Sequence, residues 1–399
     1  MLHRYRFSNL YSFRESTEVD LRLNMREQQS NWWAEDANGE RVGKVMAVIG
    51  ANGGGKTSLL NALAFLHWFM VASFTLAKPG EDLPFAQHAL AEGQLSELEV
   101  DFVTYLGNEP RFWRYKVQLT PKHVHFEGLY MRRERMGYVF ERAWNESKKG
   151  YDFKENGFGF LPQETIDART NASVLSIGIQ YGLPLAMAFR NVVFRTNVVE
   201  TGKEWTDREL LNKATNFFYD SPAYQERMNN LLQAWDFGLA SVQLREYTVP
   251  NEEGQSKPLR LAVGVHQGRD NKQYHLPITR ESRGTQAAFV LLSRLMPVLT
   301  DGGVAVIDEF ESDLHPHMLA PILDLFANPA TNPHHAQLLF TSHSMEVLNL
   351  LPKSQVILVE KDEFNESQAW RLDEVKGIRS DDNFYAKYMA GAYGAVPRL

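Results

Sequence analysis

Residues 50–58 read Gly-Ala-Asn-Gly-Gly-Gly-Lys-Thr-Ser, and no other run limits the fold of this chain so tightly. It fits G-x-x-x-x-G-K-[ST] with Gly50, Gly55, Lys56 and Thr57 in register. A short apolar run, Val45 to Ile49, precedes it and reads as a buried strand; a helix is expected after it. Strand, glycine loop and helix in that order build an anion cradle. Glycines let backbone N–H groups turn inward around phosphate oxygens, where side chains would block the approach. The helix that follows adds the positive end of its dipole. Gly50, Asn52, Gly53, Gly54, Gly55, Lys56, Thr57 and Ser58 are therefore the expected phosphate contacts. Lys56 is placed at the β- and γ-phosphates of a nucleotide, and the Thr57 hydroxyl at Mg²⁺.

Thr57 to Ala77 carries no charge over 21 residues, long enough to span a bilayer. It also contains Asn61 and His67 and starts at the phosphate loop. A helix running from a bound nucleotide through the centre of a domain is apolar all round because it is buried all round. The expectation is a core helix and no membrane partner. The N-terminus, MLHRYRFSNLYSF, lacks the apolar stretch of a secretory signal.

The second chemical signal is Val304 to His317, VAVIDEFESDLHPH. A short apolar strand ends in two acids. Asp308 at the strand tip is expected to hold Mg²⁺ through water, and Glu309 to orient and polarise an attacking water. Lys56 and Asp308 lie 252 positions apart in a chain of 399, too far for one minimal nucleotide-binding unit. The length suggests two or three domains. Hydrophobic residues make up 44% and charged residues 23%, which excludes a disordered chain. A formal net charge of −7 excludes a general nucleic-acid coat but leaves room for a local basic patch. With no cysteine, disulfides, thiolate metal sites and cysteine nucleophiles are all excluded, and a reducing, cytoplasmic location is compatible.

Along the chain, Tyr5 to Leu10, Val19 to Leu23, Leu98 to Val103 and Phe112 to Leu119 alternate like strands, the last two joined at Gly107-Asn108. Gln28 to Asn38 reads as a surface loop. Arg132 to Lys149, basic with interspersed aromatics, is either a solvated helix or hairpin face or a phosphate-contacting strip. Leu175 to Leu185 and Glu209 to Trp235 read as helices, the second broken near Ser221-Pro222. Val242 to Thr248 and Leu259 to Val265 read as strands around a charged turn at Asn251 to Lys257. Then helix (Thr285 to Leu299), strand (Val304 to Ile307), helix (Met318 to Phe326) and strand (Leu338 to Thr341) alternate, which argues for a parallel, helix-flanked sheet.

Two more pieces set the class: Glu281 to Gln286 (ESRGTQ), which opens a helix 22 to 27 residues before Asp308, and Thr341 to His343 (TSH) at the end of the next strand. The order of these motifs resembles the ABC-type ATPases of the chromosome-maintenance and RecF group. FSNLYSFRE, ESRGT, DEFESDLHP and the terminal YGAVPRL narrow the resemblance to the RloA/AbiEii-like AAA ATPases, near the OLD-type ATPases of phage-defence loci. The resemblance covers nearly the whole chain and is thin between 120 and 240. It implies an α/β ABC-type head with a mixed N-terminal sheet, a helical insertion and a parallel C-terminal sheet. Residues 1–120 are then an N-terminal lobe with the phosphate loop. Residues 121–275 are a helical and β insertion, and 276–399 a C-terminal lobe with the signature, the acidic strand and the switch histidine. By the same resemblance the ligand is Mg-ATP, and Ser282 and Gly284 bind the γ-phosphate held by a second copy. His343 is the switch histidine, acting in catalysis with Glu309 and Lys56, and Ser312-Asp313-Leu314 is the D-loop.

Two departures stand out. Gly54 replaces the serine usual in GxNGSGKT loops, at a position that contributes mainly backbone. Arg283 sits inside the signature, either to touch the opposite nucleotide or to face solvent. The Q-loop glutamine is either Gln87 or Gln94, and Tyr5, Phe7 and Phe13 read as core more than as base-stacking groups. His315, His317, His334, His335 and His343 lack the convergent spacing of a zinc site. The stretch after His343 is too short for the nuclease domain of OLD proteins, so the chain is not expected to cut DNA alone. Asp381 to Leu399 is either a docking strip or a closure of the sheet edge. The implied function is an ATP-dependent homodimer, or higher oligomer, that regulates a nuclease or toxin encoded nearby. The alternative is a RecF-like repair ATPase with DNA as ligand.

Overall fold

A computed structural model describes residues 1–24, 27, 29–198, 206–250, 256–269 and 272–396. Val45–Gly50 is a strand buried along its whole length. Val45, Ala47 and Ile49 enter one apolar core, Met46 and Val48 another. A strand apolar on both faces belongs in the middle of a parallel sheet covered on both sides. Its parallel neighbours are Gln337–Thr341 and Val356–Lys361. Among the described residues the sheet runs Phe194–Thr196, Val304–Ile307, Gln337–Thr341, Val45–Gly50, Val356–Lys361, Ser367–Arg371, the last pair antiparallel.

Register fixes the position of the chemistry. Ile307 pairs with Phe340, and Thr341 pairs with Val48. The ends of three parallel strands therefore meet at one edge: Gly50, Asp308 and Thr341. Ligands of open α/β sheets bind outside such carboxyl ends.

A second sheet is antiparallel throughout, in the order Gly150–Glu155, Met136–Asn145, Val124–Arg132, Glu109–Leu119, Ser96–Leu106, Leu2–Ser8, Thr17–Asp20. The helix Lys56–Leu76 shares one core with this sheet and with Met46, Val48, Val306 and Leu339 of the first. Tyr5 donates its hydroxyl to Leu59 O at 3.0 Å, and Phe65 packs on Phe85 with ring centroids 5.0 Å apart. At the C-terminal end of this helix the Arg169 guanidinium donates to Phe74 O and Ala77 O, both at 2.8 Å, satisfying carbonyls that have no partner within the helix. Lys56–Leu76 is long and apolar enough to cross a membrane, but 61% of its most apolar stretch is buried inside the protein.

The other face of the parallel sheet carries Asp207–Tyr219, Pro222–Ala234, Arg283–Asp301 and Leu319–Ala327, joined by a sheet of Ser241–Pro250, Ser256–Gln267 and Gln273–Pro277.

Several expectations change in detail. The N-terminal sheet is not mixed, and the phosphate-loop strand lies in the other sheet. Half-buried, alternating strands joined by tight turns pair antiparallel with their neighbours, whereas the fully apolar Val45–Gly50 is drawn between parallel partners. The span after residue 120 begins with three strands of the antiparallel sheet before its helices. Arg132 to Lys149 forms part of that sheet: Arg142 is buried against Glu127 at 2.8 Å, and Arg132 lies over the Phe112 ring. Within the expected loop at 28–38, Trp33–Glu35 pairs with Arg41–Gly43, and Gln28 lies outside the described residues. So does most of the turn at Asn251 to Lys257. The C-terminal stretch closes a core: Phe384, Tyr388, Tyr393 and Ala395 are buried, and Tyr388 donates to Ala395 O at 2.6 Å. Residues 397–399 lie outside the described set.

Phe65 is fully buried between the sheets. Phe65→Ala is expected to cost about 3–5 kcal/mol, read as a lower midpoint in urea unfolding.

Candidate functional site

The loop after Gly50 is shaped by close approach as much as by torsion. A Cβ on Gly50 would lie 2.0 Å from Val359 O, and one on Gly55 would lie 2.5 Å from Ser367 Oγ. Gly53 (φ 74°) and Gly55 (φ 115°) adopt left-handed torsions that side chains disfavour. Gly54, the departure from the usual serine, has its own cause. A Cβ there would sit 3.0 Å from Ala51 O and 3.1 Å from Val359 O. The Ser367 hydroxyl braces this position by donating to Gly54 O at 2.8 Å, with Ser12 Oγ 2.7 Å away. Asn52 and Gly53 are exposed at the tip.

The helix at Lys56 starts from Gly55 with no side-chain cap and no acid in its first turn. Helices starting at Val174, Asp207, Arg283 and Phe384 have their first N–H groups met by Ser173, Thr206, Ser282 and Asn383. The unmet N–H groups at Lys56 face the loop, which suits an anion. The Lys56 ammonium is buried and donates to Gly50 O at 2.9 Å and Ala51 O at 3.2 Å. Burial pushes it below the ordinary lysine range, against the carboxylates of Asp308, Glu311 and Glu309.

Asp308 is the centre of the site. Its Oδ2 accepts from Thr57 Oγ1 at 2.8 Å and its Oδ1 from Thr341 Oγ1 at 2.5 Å. Asn197 clamps its backbone, accepting from Asp308 N at 2.7 Å and donating to Asp308 O at 2.8 Å. Glu309 is exposed and left-handed (φ 48°), held there by its N–H donating to Thr341 Oγ1 at 2.7 Å. Its Oε1 lies 3.8 Å from His343 Nε2. Glu311 accepts from the N–H groups of His343 and Ser344, tying the switch loop to the acidic loop.

The structure thus brings Lys56, Thr57, Asp308, Glu309 and His343 to one edge. Ser282 and Gly284 sit beside the acidic loop at Asp313. Ser282 is exposed and caps its own helix by accepting from Thr285 N at 3.1 Å; a Cβ on Gly284 would lie 3.1 Å from Asp313 O. Among the described residues neither has a hydrogen bond to the phosphate loop. Arg283 faces solvent in an exposed ion pair with Asp207. Gln87 is engaged in its own loop, accepting from Gly93 N at 3.0 Å and donating to Gln94 O. Tyr5, Phe7 and Phe13 are buried core. His315 caps a short turn by accepting from His317 N at 3.2 Å.

Asn197, Thr341 Oγ1, Glu311 and Ser367 brace the candidate site and were not assigned by the motif reading. Glu311 and Thr341 lie inside motifs already marked, whereas Asn197 and Ser367 carry no local signal because their partners are 111 and 313 positions away.

Lys56→Ala should abolish nucleotide binding, measured with a fluorescent ATP analogue; unchanged affinity would remove the loop from the site. Asn197→Ala frees the Asp308 backbone and should cost about 1–3 kcal/mol of folding stability, seen in urea unfolding. Its magnesium-dependent turnover should fall as well, and an unchanged rate would show that the clamp does not position Asp308.

The model of a family described as "AAA domain, putative AbiEii toxin, Type IV TA system" matches residues 45–349. No curated protein matches the chain. Similar solved structures include the SmcHead bound to the C-winged helix domain of ScpA, with 14% identity, 94% of this chain and 99% of that chain covered and a TM-score of 0.46. Another is the Smc head domain with a coiled coil and joint derived from Pyrococcus yayanosii, with 10% identity, 98% and 99% covered and a TM-score of 0.48.

Proposed function

The chain belongs to the AAA-domain family described as putative AbiEii toxin, type IV TA system, and from that premise we propose that it binds and hydrolyses ATP as an ABC-type head that closes on a second copy. The observation that carries this reading is the uncapped helix start beside Lys56, facing Asp308 and Thr57 at 2.8 Å from each other. The donor set fits its ligands. Glycine N–H groups and an ammonium suit phosphate oxygens, and a carboxylate beside a hydroxyl suits magnesium. Magnesium, when bound, neutralises charge on the β- and γ-phosphates.

The protein's own groups do the rest. Lys56 exchanges two loop carbonyls for phosphate oxygens. Thr57 and Asp308, which hydrogen-bond each other, are the residues that would hold the metal. Glu309, exposed on its strained backbone, takes a proton from the water whose oxygen bonds to the γ-phosphorus as ADP leaves, and His343 lies 3.8 Å from its carboxylate. Among the described residues neither Ser282 nor Gly284 hydrogen-bonds its own phosphate loop, which supports their completing the site of a second copy. Closure on ATP and reopening after hydrolysis form a two-state element biased by ligand.

The finer proposal is a cytoplasmic homodimer that holds or releases a nuclease or toxin effector in antiphage defence; the family description, which names a toxin and a type IV TA system, supports its toxin arm. The RecF-like, DNA-binding reading is the weaker one. In the segment 132–149, where a phosphate-contacting strip was one expectation, Arg142 is buried against Glu127, Arg132 lies on Phe112 and Lys148 pairs with Asp152.

Glu309→Gln is expected to bind ATP, lower turnover by about 10²–10⁴-fold and accumulate dimer in light scattering with ATP. Normal turnover in this variant would remove Glu309 as the base. A monomer at saturating ATP would remove the dimer.

A further inference from the structure

A cleft of about 180 Å³ lies between the helices Asp207–Tyr219 and Arg283–Asp301, and Glu309, Ser312 and Asp313 form part of its wall. Arg294 lines it from the middle of the second helix. Among the described residues the Arg294 guanidinium has no carboxylate, carbonyl or hydroxyl partner. Other arginines of this lobe are engaged: Arg283 with Asp207, Arg227 with Thr331 O at 2.9 Å, Arg260 with Glu246 at 3.0 Å. Arg294 is half-buried, and desolvation pushes it down to about 10, so it still carries its charge at neutral pH.

A half-buried guanidinium without a protein acceptor is partly desolvated, and its donors still rely on water. An anion in the cleft gives that fork of donors a charged acceptor in place of water. The cleft is smaller than the roughly 300 Å³ at which drug-sized pockets begin, so it suits a small ion better than a nucleotide. Its acidic neighbours decide how long such an ion stays. Asp207 is paired with Arg283, but Glu309 and Asp313 are exposed on the rim and repel an anion. The balance favours brief occupancy over storage.

We propose that this cleft is an oxyanion subsite in which Arg294 takes the inorganic phosphate released beside Glu309 before it escapes to solvent. The origin of the phosphate rests on the hydrolysis reading above; the binding of phosphate at Arg294 does not.

Inorganic phosphate is titrated calorimetrically into full-length Lys56→Ala protein, which removes the competing phosphate-loop lysine, and into Lys56→Ala/Arg294→Gln. The second should bind phosphate at least about tenfold more weakly, with Arg294→Lys intermediate; equal affinity overturns the subsite. In the Lys56-intact protein, single-turnover phosphate release is compared with chemical quench. Arg294→Gln should alter the interval between hydrolysis and release by at least about threefold while changing the hydrolysis rate less. Lost phosphate binding with an unchanged interval overturns the product origin and assigns the site to phosphate from solution. The melting temperature of Arg294→Gln should hold or rise, since the charge removed is partly desolvated and has no protein partner among the described residues; a clear fall marks Arg294 as structural and overturns the proposal. A native protein without ATP turnover refutes the hydrolysis reading, and the titration still decides the subsite.

Discussion

Thr57 and Asp308 are 251 positions apart, and the 2.8 Å hydrogen bond between them is the contact on which the site depends. It exists because two parallel strands are placed one strand apart, with Gln337–Thr341 between them. The same intervening strand supplies Thr341, whose hydroxyl serves both Asp308 and Glu309. Asp308 thus has each carboxylate oxygen on a neutral hydroxyl and its backbone on one amide side chain. Among the described residues the carboxylate is oriented without an ion pair, with the Lys56 ammonium nearby, and its charge suits a metal.

The strand ends carry strain, and the strain is confined by that network. Glu309 and Asp313 are both left-handed without being glycine. Such torsions persist where the surroundings over-determine them. Here Glu309 N is bound to Thr341 Oγ1, Phe310 N to Thr341 O, and Leu314 N to Glu311 O. The core below, fully apolar on both faces of the parallel sheet, provides the stability that this arrangement costs. Gly284 abuts Asp313 O, so the signature helix and the acidic loop meet in one chain. A change at Asp308 therefore has a short path of direct contacts to Ser282.

Much of this was legible in the sequence where the signal is local. The phosphate loop, its strand and its helix, the acidic strand end and the switch loop all lie within motifs whose spacing reflects their own backbone. The apolar helix reads as core, and most of its apolar stretch is buried inside the protein. Legibility failed where partners are distant. Nothing near Asn197 announces that it will clamp Asp308, nothing near Ser367 that it will support Gly54, and alternation in the first strands did not reveal that Val45–Gly50 leaves them for another sheet. Gln87 looked available for the nucleotide, but Asn9 donates to Ala91 O at 3.1 Å and Gln94 O at 3.3 Å, fixing the loop in which Gln87 closes on itself.

The most direct measurement is a crystal structure of the Lys56-intact protein with magnesium and a non-hydrolysable ATP analogue. The account expects Lys56 Nζ to have left Gly50 O and Ala51 O for the phosphates, with Thr57 and Asp308 no longer bonded to each other but on either side of one metal ion. A nucleotide bound elsewhere, or bound here with the Lys56–carbonyl and Thr57–Asp308 contacts intact, would contradict it.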